Sequence, residues 1–445
     1  MIEYRIPIII PVYNTTPETL YLTIYHLNKT TKNPIIVVND GSRRRETIVV
    51  LKYISRRGLA EVLDKENGGK IDALLYGLNY VKEKYGSKCV IIQDDDILIS
   101  AKDGNLDEIL RKHCEELDND YPVYVYPVEN RIYVLNSIID DEIVEDLKDL
   151  EKVIKGINPT YEVEIKTKPN LLDDLQNLEH VVSTLIARRI AREGLWVNGS
   201  ASLWKSSELE RYLKQHSKDH YADDLELTLL LRRDGKGIRF SDEIILYPEL
   251  ISKFKAYVKQ RVKWGHGVYR VFFKYPKEFL KNPLYFAYTI SPFILYSVIL
   301  APENLKHYIS LTYFSILILQ SIYYSKKFSL NERFSKKFKN ISKLLGAIYI
   351  VSTTLLLSLI SKTYYNDYRI SSIIESLGLL GATGYFLYIF NKYGKDRGYV
   401  NLKNLLLKYI PYIIIYCITT LPLGLIDYID KEIKNKKETY KLSNK

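Results

Sequence analysis

Cysteine is scarce in this chain. Cys89, Cys114 and Cys417 are its three cysteines in 445 residues, scattered without metal-ligand spacing. They imply no disulfide framework and suit a reducing cytoplasm. A leader is not evident either: MIEYRIPIIIPVYN lacks a charged n-region ahead of a long apolar core and reads as a strand at once. A P-loop is missing as well. Gly68-Gly69-Lys70 precedes a helical pattern, but the full spacing is absent, and Ile71 stands where Ser or Thr would hold magnesium. Acidic excess is lacking too, because 64 Lys+Arg against 53 Asp+Glu leave a balance of +11.

A basic balance suits nucleic acid, a membrane surface or an acidic substrate, and position discriminates among them. Acid and base are mixed through residues 1–247, which read as a soluble domain. Downstream of Pro283, five stretches nearly free of charge follow one another: 284–301, 308–325, 344–361, 372–390 and 409–426. Each has about the 18–20 residues that a membrane-crossing helix needs. Lysine-rich linkers at 326–341 and 391–405 then face the cytoplasm by the positive-inside rule, and residues 1–283 with them. The expected division is a cytosolic domain over 1–247, a basic amphipathic interfacial segment over 248–283, four or five spans over 284–426 and a lysine-rich tail over 427–445. The expected location is an integral membrane protein bound to lipids, with no nucleic-acid partner.

Short apolar runs at 5–12, 34–39 and 88–93 alternate with helical patterns at 17–30, 45–57 and 70–84. Continuous apolar strands between helices predict an α/β domain with a mostly parallel sheet, covered on both faces. Ligands of such sheets bind beyond the carboxyl ends of the strands. Polar residues stand at all three ends: Tyr13-Asn14, then Asn39-Asp40-Gly41-Ser42, then Gln93 with Asp94, Asp95 and Asp96. Asp40-Gly41 taken alone is an ordinary turn pair. Three adjacent carboxylates repel one another, and a hard divalent cation is the partner that would offset them. A solvated acidic turn is the plainer reading of the same residues. Lys70, at a helix start, is placed for an anionic or nucleotide ligand.

Seven strings in order resemble family-2 glycosyltransferases, in the membrane-bound processive branch that includes hyaluronan, chitin and cellulose synthases. IPVYN at 10–14, VVNDGS at 37–42, GGKIDALLYGL at 68–78 and QDDDIL at 93–98 look like the nucleotide-sugar half. NGSASLW at 198–204, ADDLELTLLLRRDG at 222–235 and QRVKW at 260–264 look like the acceptor half. The resemblance implies a GT-A-type, Rossmann-like cytosolic domain, interfacial helices and a C-terminal transmembrane bundle. It also implies transfer of sugar from a UDP-sugar, with inversion, to a growing β-linked polysaccharide. The rival is transfer of one sugar to polyprenyl phosphate, giving a lipid-linked product.

The roles it implies are specific. Tyr13 packs on the base, Asp40 hydrogen-bonds it, and Lys70 reaches base or ribose. Asp94 contacts ribose or metal, and Asp95 or Asp96 is the main ligand of Mn²⁺ or Mg²⁺. The register stays open, because aligning Ile97-Leu98 puts Gln93 and Asp95 in the paired-acid positions instead. Asp224 falls on the catalytic base, with Asp223 beside it, although acids also favour any exposed helix N-terminus. Gly199 and Asp223 count among the acceptor and diphosphate residues. Gln260, Arg261, Lys263 and Trp264 answer to the acceptor and diphosphate string. Lys263 stands where the family has arginine, which replaces a bidentate fork by a point charge.

Overall fold

The computed structural model describes residues 5–166, 168–180, 196–218, 222–281 and 423–431. The chain divides into two compact units: Met1–Leu185 with Glu193–Tyr257, and Ile186–Arg192 with Val258–Lys445.

The first unit opens with strands and helices in alternation: β1 (Ile8–Val12), α1 (Pro17–Thr30), β2 (Ile35–Asp40), α2 (Arg45–Arg56), β3 (Glu61–Lys65), α3 (Lys70–Tyr85) and β4 (Cys89–Gln93). Then come β5 (Ile97–Ala101), α4 (Leu106–Glu116), β6 (Val123–Val125), a one-turn α5 (Leu135–Ile138), α6 (Asp141–Lys155) and α7 (Leu171–His180). The unit continues through β7 (Ala201–Lys205), α8 (Ser206–Gln215), α9 (Asp223–Arg233), β8 (Arg239–Phe240) and β9 (Ile244–Pro248). Helix α10 (Phe254–Lys274) begins in this unit.

The main sheet has the order β3-β2-β1-β4-β7-β6-β8, and β5 pairs with β9 in a separate two-stranded ribbon. The β3, β2, β1 and β4 ladders are parallel, while β7 is antiparallel to both β4 and β6. The expected α/β domain with a mostly parallel sheet is therefore the one formed. Both faces are covered, which is why β1 and the apolar runs of β2 and β4 do not alternate with polar residues. Ile8, Ile10, Val12 and Val37 share a core with Leu20, Ile24 and Leu27 of α1 and Val50 and Ile54 of α2. On the other face, Gly77 of α3 lies against Ile9 and Val38. Each of these buried aliphatic side chains contributes about 1.5–3 kcal/mol relative to exposure.

Strand β3 is an addition to the expected set. Its residues EVLDK are partly exposed at the sheet edge, so they carry no continuous apolar signal. The cysteines need a correction. Cys89 and Cys114 are joined as a disulfide, with Cα atoms 6.0 Å apart. Their spacing in sequence gave no hint of this, because the fold, by laying α4 beside β5 and β7, is what brings position 114 to the start of β4.

Of the second unit, the described residues are α10 from Val258, α11 (Pro276–Lys281) and α12, residues 423–431. His266 Nδ1 lies 2.9 Å from Asp427 Oδ2, Phe273 stacks on Tyr428, and Gly424 meets the backbone of Gly265. Among the described residues no helix is long and apolar enough to cross a membrane. The five apolar stretches lie outside the described residues, except for 423–426 at the end of the last. The helical pattern expected from Leu175 is α7 as far as His180, and its continuation to 194 lies outside them too.

Candidate active site

The carboxyl ends of β1, β2 and β4 form one rim, as the parallel register requires. At the first end, Tyr13 is 48% exposed. Asn14 next to it has φ +57°, and its Oδ1 accepts hydrogen bonds from Arg43 N (2.8 Å) and Arg44 N (2.9 Å). This left-handed turn fastens the β1–α1 loop to the start of α2.

Asp40 closes β2 and is 3% exposed. Its Oδ1 takes the Lys65 ammonium at 2.5 Å and Gly68 N at 2.9 Å, and its Oδ2 takes Gly69 N at 2.8 Å. Asn67 Nδ2 donates to its carbonyl at 2.9 Å. In this structure Asp40 thus organises the loop that leads into Lys70. Gly41 makes the turn possible. Its φ is +66°, and a Cβ there would stand 2.7 Å from Asn67 N.

The third end carries the acidic run, and its members diverge. Asp94 Oδ1 meets Lys70 Nζ at 2.5 Å, across from the first residue of α3. The Asp95 carboxylate accepts the Thr15 hydroxyl. Asp96 faces the charges of Arg131 and Glu249, which themselves pair at 2.8 Å. Burial, then Asp94, pushes the Asp95 carboxyl up to about 6, although the Thr15 hydrogen bond favours its anion. Burial, then Asp95 and Asp94, raises Asp96 well above the ordinary carboxylate range.

Asp224 lies in the first turn of α9, close to Gly199 at the entry to β7. A Cβ on Gly199 would come within 3.3 Å of Asp224 Oδ2, so a larger residue there would press the carboxylate aside by a few tenths of an ångström. The hydrogen bond from Asp94 N to Ser200 O (2.8 Å) ties this corner to β4. Burial raises the Asp224 carboxyl, and Lys70 draws it back. Burial would lower Lys70, but Asp94, Asp223 and Asp224 more than offset that and hold its ammonium above the ordinary lysine value. Lys70, Asp94, Asn198, Gly199, Asp223 and Asp224 line one narrow cleft. Two strings far apart in sequence, one from each expected half of the site, meet there.

Gln260, Arg261, Lys263 and Trp264 all lie on α10, in the second unit. Arg261 is 1% exposed, and its guanidinium sits 4.3 Å from the Trp264 ring centre. One buried acidic neighbour escaped the sequence reading. Glu226, in the same helix as Asp223, is fully buried, accepts a hydrogen bond from Ser217 N at 3.2 Å and lies 3.4 Å from His216 Nε2. The i, i+3 spacing of Asp223 and Glu226 in ADDLELT was the available signal.

Residues that could hold a cation are carboxylates, which suit hard ions such as Mg²⁺ or Mn²⁺. Among the described residues no three acidic, histidine or cysteine side chains converge as a ready cage. The donor set therefore fits an ion held by one or two carboxylates and completed by substrate phosphates.

Residues 8–189 match the family model of Glycosyl transferase family 2. Strands β1 to β4 and β6, with Lys70 and Asp94, fall inside this match, while β7, β8 and Asp224 lie beyond it. None of the curated proteins matches the chain. Among solved structures, the mannosyltransferase PcManGT from Pyrobaculum calidifontis, in complex with GDP-Man and Mn²⁺, is similar at 15% identity and a TM-score of 0.40, over 88% of this chain and 89% of that one. TarS 1-349 of S. aureus in complex with UDP-GlcNAc is similar at 10% identity and a TM-score of 0.34, over 78% and 91%. GalNAc-T7 with UDP, GalNAc and Mn²⁺ is similar at 12% identity and a TM-score of 0.34, over 56% and 44%.

Proposed function

We propose that the chain is an inverting, membrane-bound family-2 glycosyltransferase that moves sugar from a UDP-sugar to a growing carbohydrate chain. The observation that carries this reading is the shared cleft. Lys70, Asp94 and the partly buried Asp224 line it together, which supports a nucleotide-sugar side and a base side sharing one space.

In this reading the Asp224 carboxylate accepts the proton of the attacking acceptor hydroxyl. Its burial favours proton uptake, and Lys70 keeps it ionised before the step. The hydroxyl oxygen forms the new bond at the anomeric carbon while the bond to the nucleotide diphosphate breaks, which inverts that centre. The Asp40-anchored loop positions Lys70, whose ammonium offsets negative charge on the cleft wall. Asp94, with Asp95 or Asp96, would hold Mg²⁺ or Mn²⁺ together with the diphosphate. The ion's contribution there is Lewis-acid stabilisation of the leaving group.

The membrane assignment rests on the five apolar stretches and the basic linkers between them. His266, ahead of those stretches, touches Asp427, after them. That contact supports a path that enters and leaves the bilayer on one side, and we place that side in the cytoplasm.

The test is nucleotide release by the detergent-purified full chain against UDP- and GDP-sugars, with Mn²⁺, Mg²⁺ or EDTA and with products sized on gels. Metal-dependent UDP release with a high-molecular-weight product supports the polymer synthase. Release only with added polyprenyl phosphate replaces it by the single-sugar reading. No release from any donor, under any of these conditions, sinks both.

A further inference from the structure

Residues 216–218, which follow α8, tie the two sides of the cleft together. Glu226 lies in α9, three residues after Asp223, and is fully buried. A carboxylate out of water needs donors, and this one draws them from that segment. Ser217 donates to it twice, through its backbone N at 3.2 Å and through its hydroxyl. His216 is buried alongside, with Nε2 3.4 Å from Glu226 Oε2 and 3.9 Å from Asp223 Oδ1. Lys218 N donates to His216 Nδ1 at 3.0 Å, so the ring proton is on Nε2, facing the carboxylates.

The same segment reaches the other side through Lys218. Its φ of +61° is in the left-handed region, which a non-glycine residue seldom adopts. Lys218 Nζ lies 2.6 Å from Asp72 Oδ1, in the first turn of α3 and two residues past Lys70. A Cβ on Gly69 would stand 3.8 Å from Lys218 O, so the two backbones run close together. The ion pair is partly exposed and adds little to stability. What it sets is a distance, because the segment joins the turn that carries Lys70 to the turn that carries Asp223 and Asp224.

We propose that Asp72, Lys218 and Glu226 are positioning residues that fix Lys70 and Asp224 at their working separation. The proposal rests on the nucleotide-sugar reading of the cleft. In that reading the donor is held from the α3 side, and the acceptor hydroxyl loses its proton on the α9 side. Hydroxyl oxygen, anomeric carbon and base must be aligned together. A misplacement of about 1 Å, caused by a residue away from the chemistry, costs up to about 100-fold.

The experiment is a charge exchange in the detergent-purified full chain, with Asp72→Lys and Lys218→Asp made singly and together. It compares kcat with the UDP-sugar that the wild type turns over fastest, UDP affinity by calorimetry, and the melting temperature. Each single variant sets like charges face to face. It is expected to lower kcat about 3- to 10-fold while UDP affinity stays within about twofold. The double variant restores the pair and should recover kcat to within about twofold of the wild type. A field effect of either charge on the cleft would not be restored by the exchange. Glu226→Gln, which keeps one acceptor oxygen for Ser217, should retain more of kcat than Glu226→Ala. Single variants with the wild-type kcat overturn the proposal. So does a loss that the exchange leaves unrestored, or one that merely follows a lower melting temperature. These outcomes are readable even if the Glu226 variants fail to fold. A wild type that releases nucleotide from no sugar donor defeats the underlying reading instead, and this one with it.

Discussion

Lys70 Nζ stands 2.5 Å from Asp94 Oδ1, joining the first residue of α3 to the end of β4 at the mouth of the cleft. Both side chains are one-third exposed, so the pair adds little to stability, about 1 kcal/mol or less after solvent screening. Its value is positional, since it holds a cation among three carboxylates. Lys70→Met is expected to lower kcat/KM about 10- to 100-fold, as for loss of a charge-assisted hydrogen bond. The melting temperature should move only slightly. Steady-state kinetics beside a thermal melt check both.

The same lysine sets a pH response. Asp224 must be ionised to accept a proton, and burial raises its carboxyl above the ordinary value of about 4. Activity should therefore climb with pH along a limb displaced above that value. Lys70 favours the Asp224 anion, so its removal raises the pKa further. The limb in Lys70→Met should sit at higher pH than in the wild type. Residual activity of the variant across a pH series measures this directly, and an unmoved limb contradicts the coupling.

Asp95 gives a prediction about stability. Its folded-state carboxyl, pushed up to about 6 from 3.8, holds its proton more tightly than in the unfolded chain. That contribution is present at low pH and is lost as pH rises through about 6. Near neutral pH, without divalent cation, Asp95→Asn should melt higher than the wild type. The wild type should gain more than the variant from Mn²⁺ with UDP, because the cation offsets the repulsion that the variant lacks. Melts with and without the two ligands test it.

Asp40 has a different character. It is buried, paired with Lys65, and bonded to Gly68 N and Gly69 N. Asp40→Ala leaves those groups without their partner and is expected to cost the first unit about 3 kcal/mol. The loop 65–69 should become the first site of limited proteolysis. Nucleotide affinity should fall as well, because that loop delivers Lys70.

Much of this was legible in the sequence, for physical reasons. β1, β2 and β4 are buried on both faces and so read as unbroken apolar runs, with polar rim residues just beyond them. Glycine before Lys70 marked the start of α3. β3 stayed hidden because an edge strand is half-exposed and carries charge. Lys70, Asp94, Gly199, Asp223 and Asp224 were identifiable one by one, and the structure brings them into one cleft. The divergence of Asp95 and Asp96 was not readable, since it depends on Thr15, Arg131 and Glu249, which lie far away in sequence. The bonding of Asp40 to its own loop was hidden for the same reason.

The account turns on Asp224 as the base, and the most direct measurement is Asp224→Asn in the purified full chain. UDP binding by calorimetry and UDP release from the best donor would be compared with the wild type. The account predicts unchanged UDP affinity and a rate lower by about 10²- to 10⁴-fold, the usual contribution of a general base. A variant that turns over at the wild-type rate would contradict it, and the proton would then have to leave by a group other than Asp224.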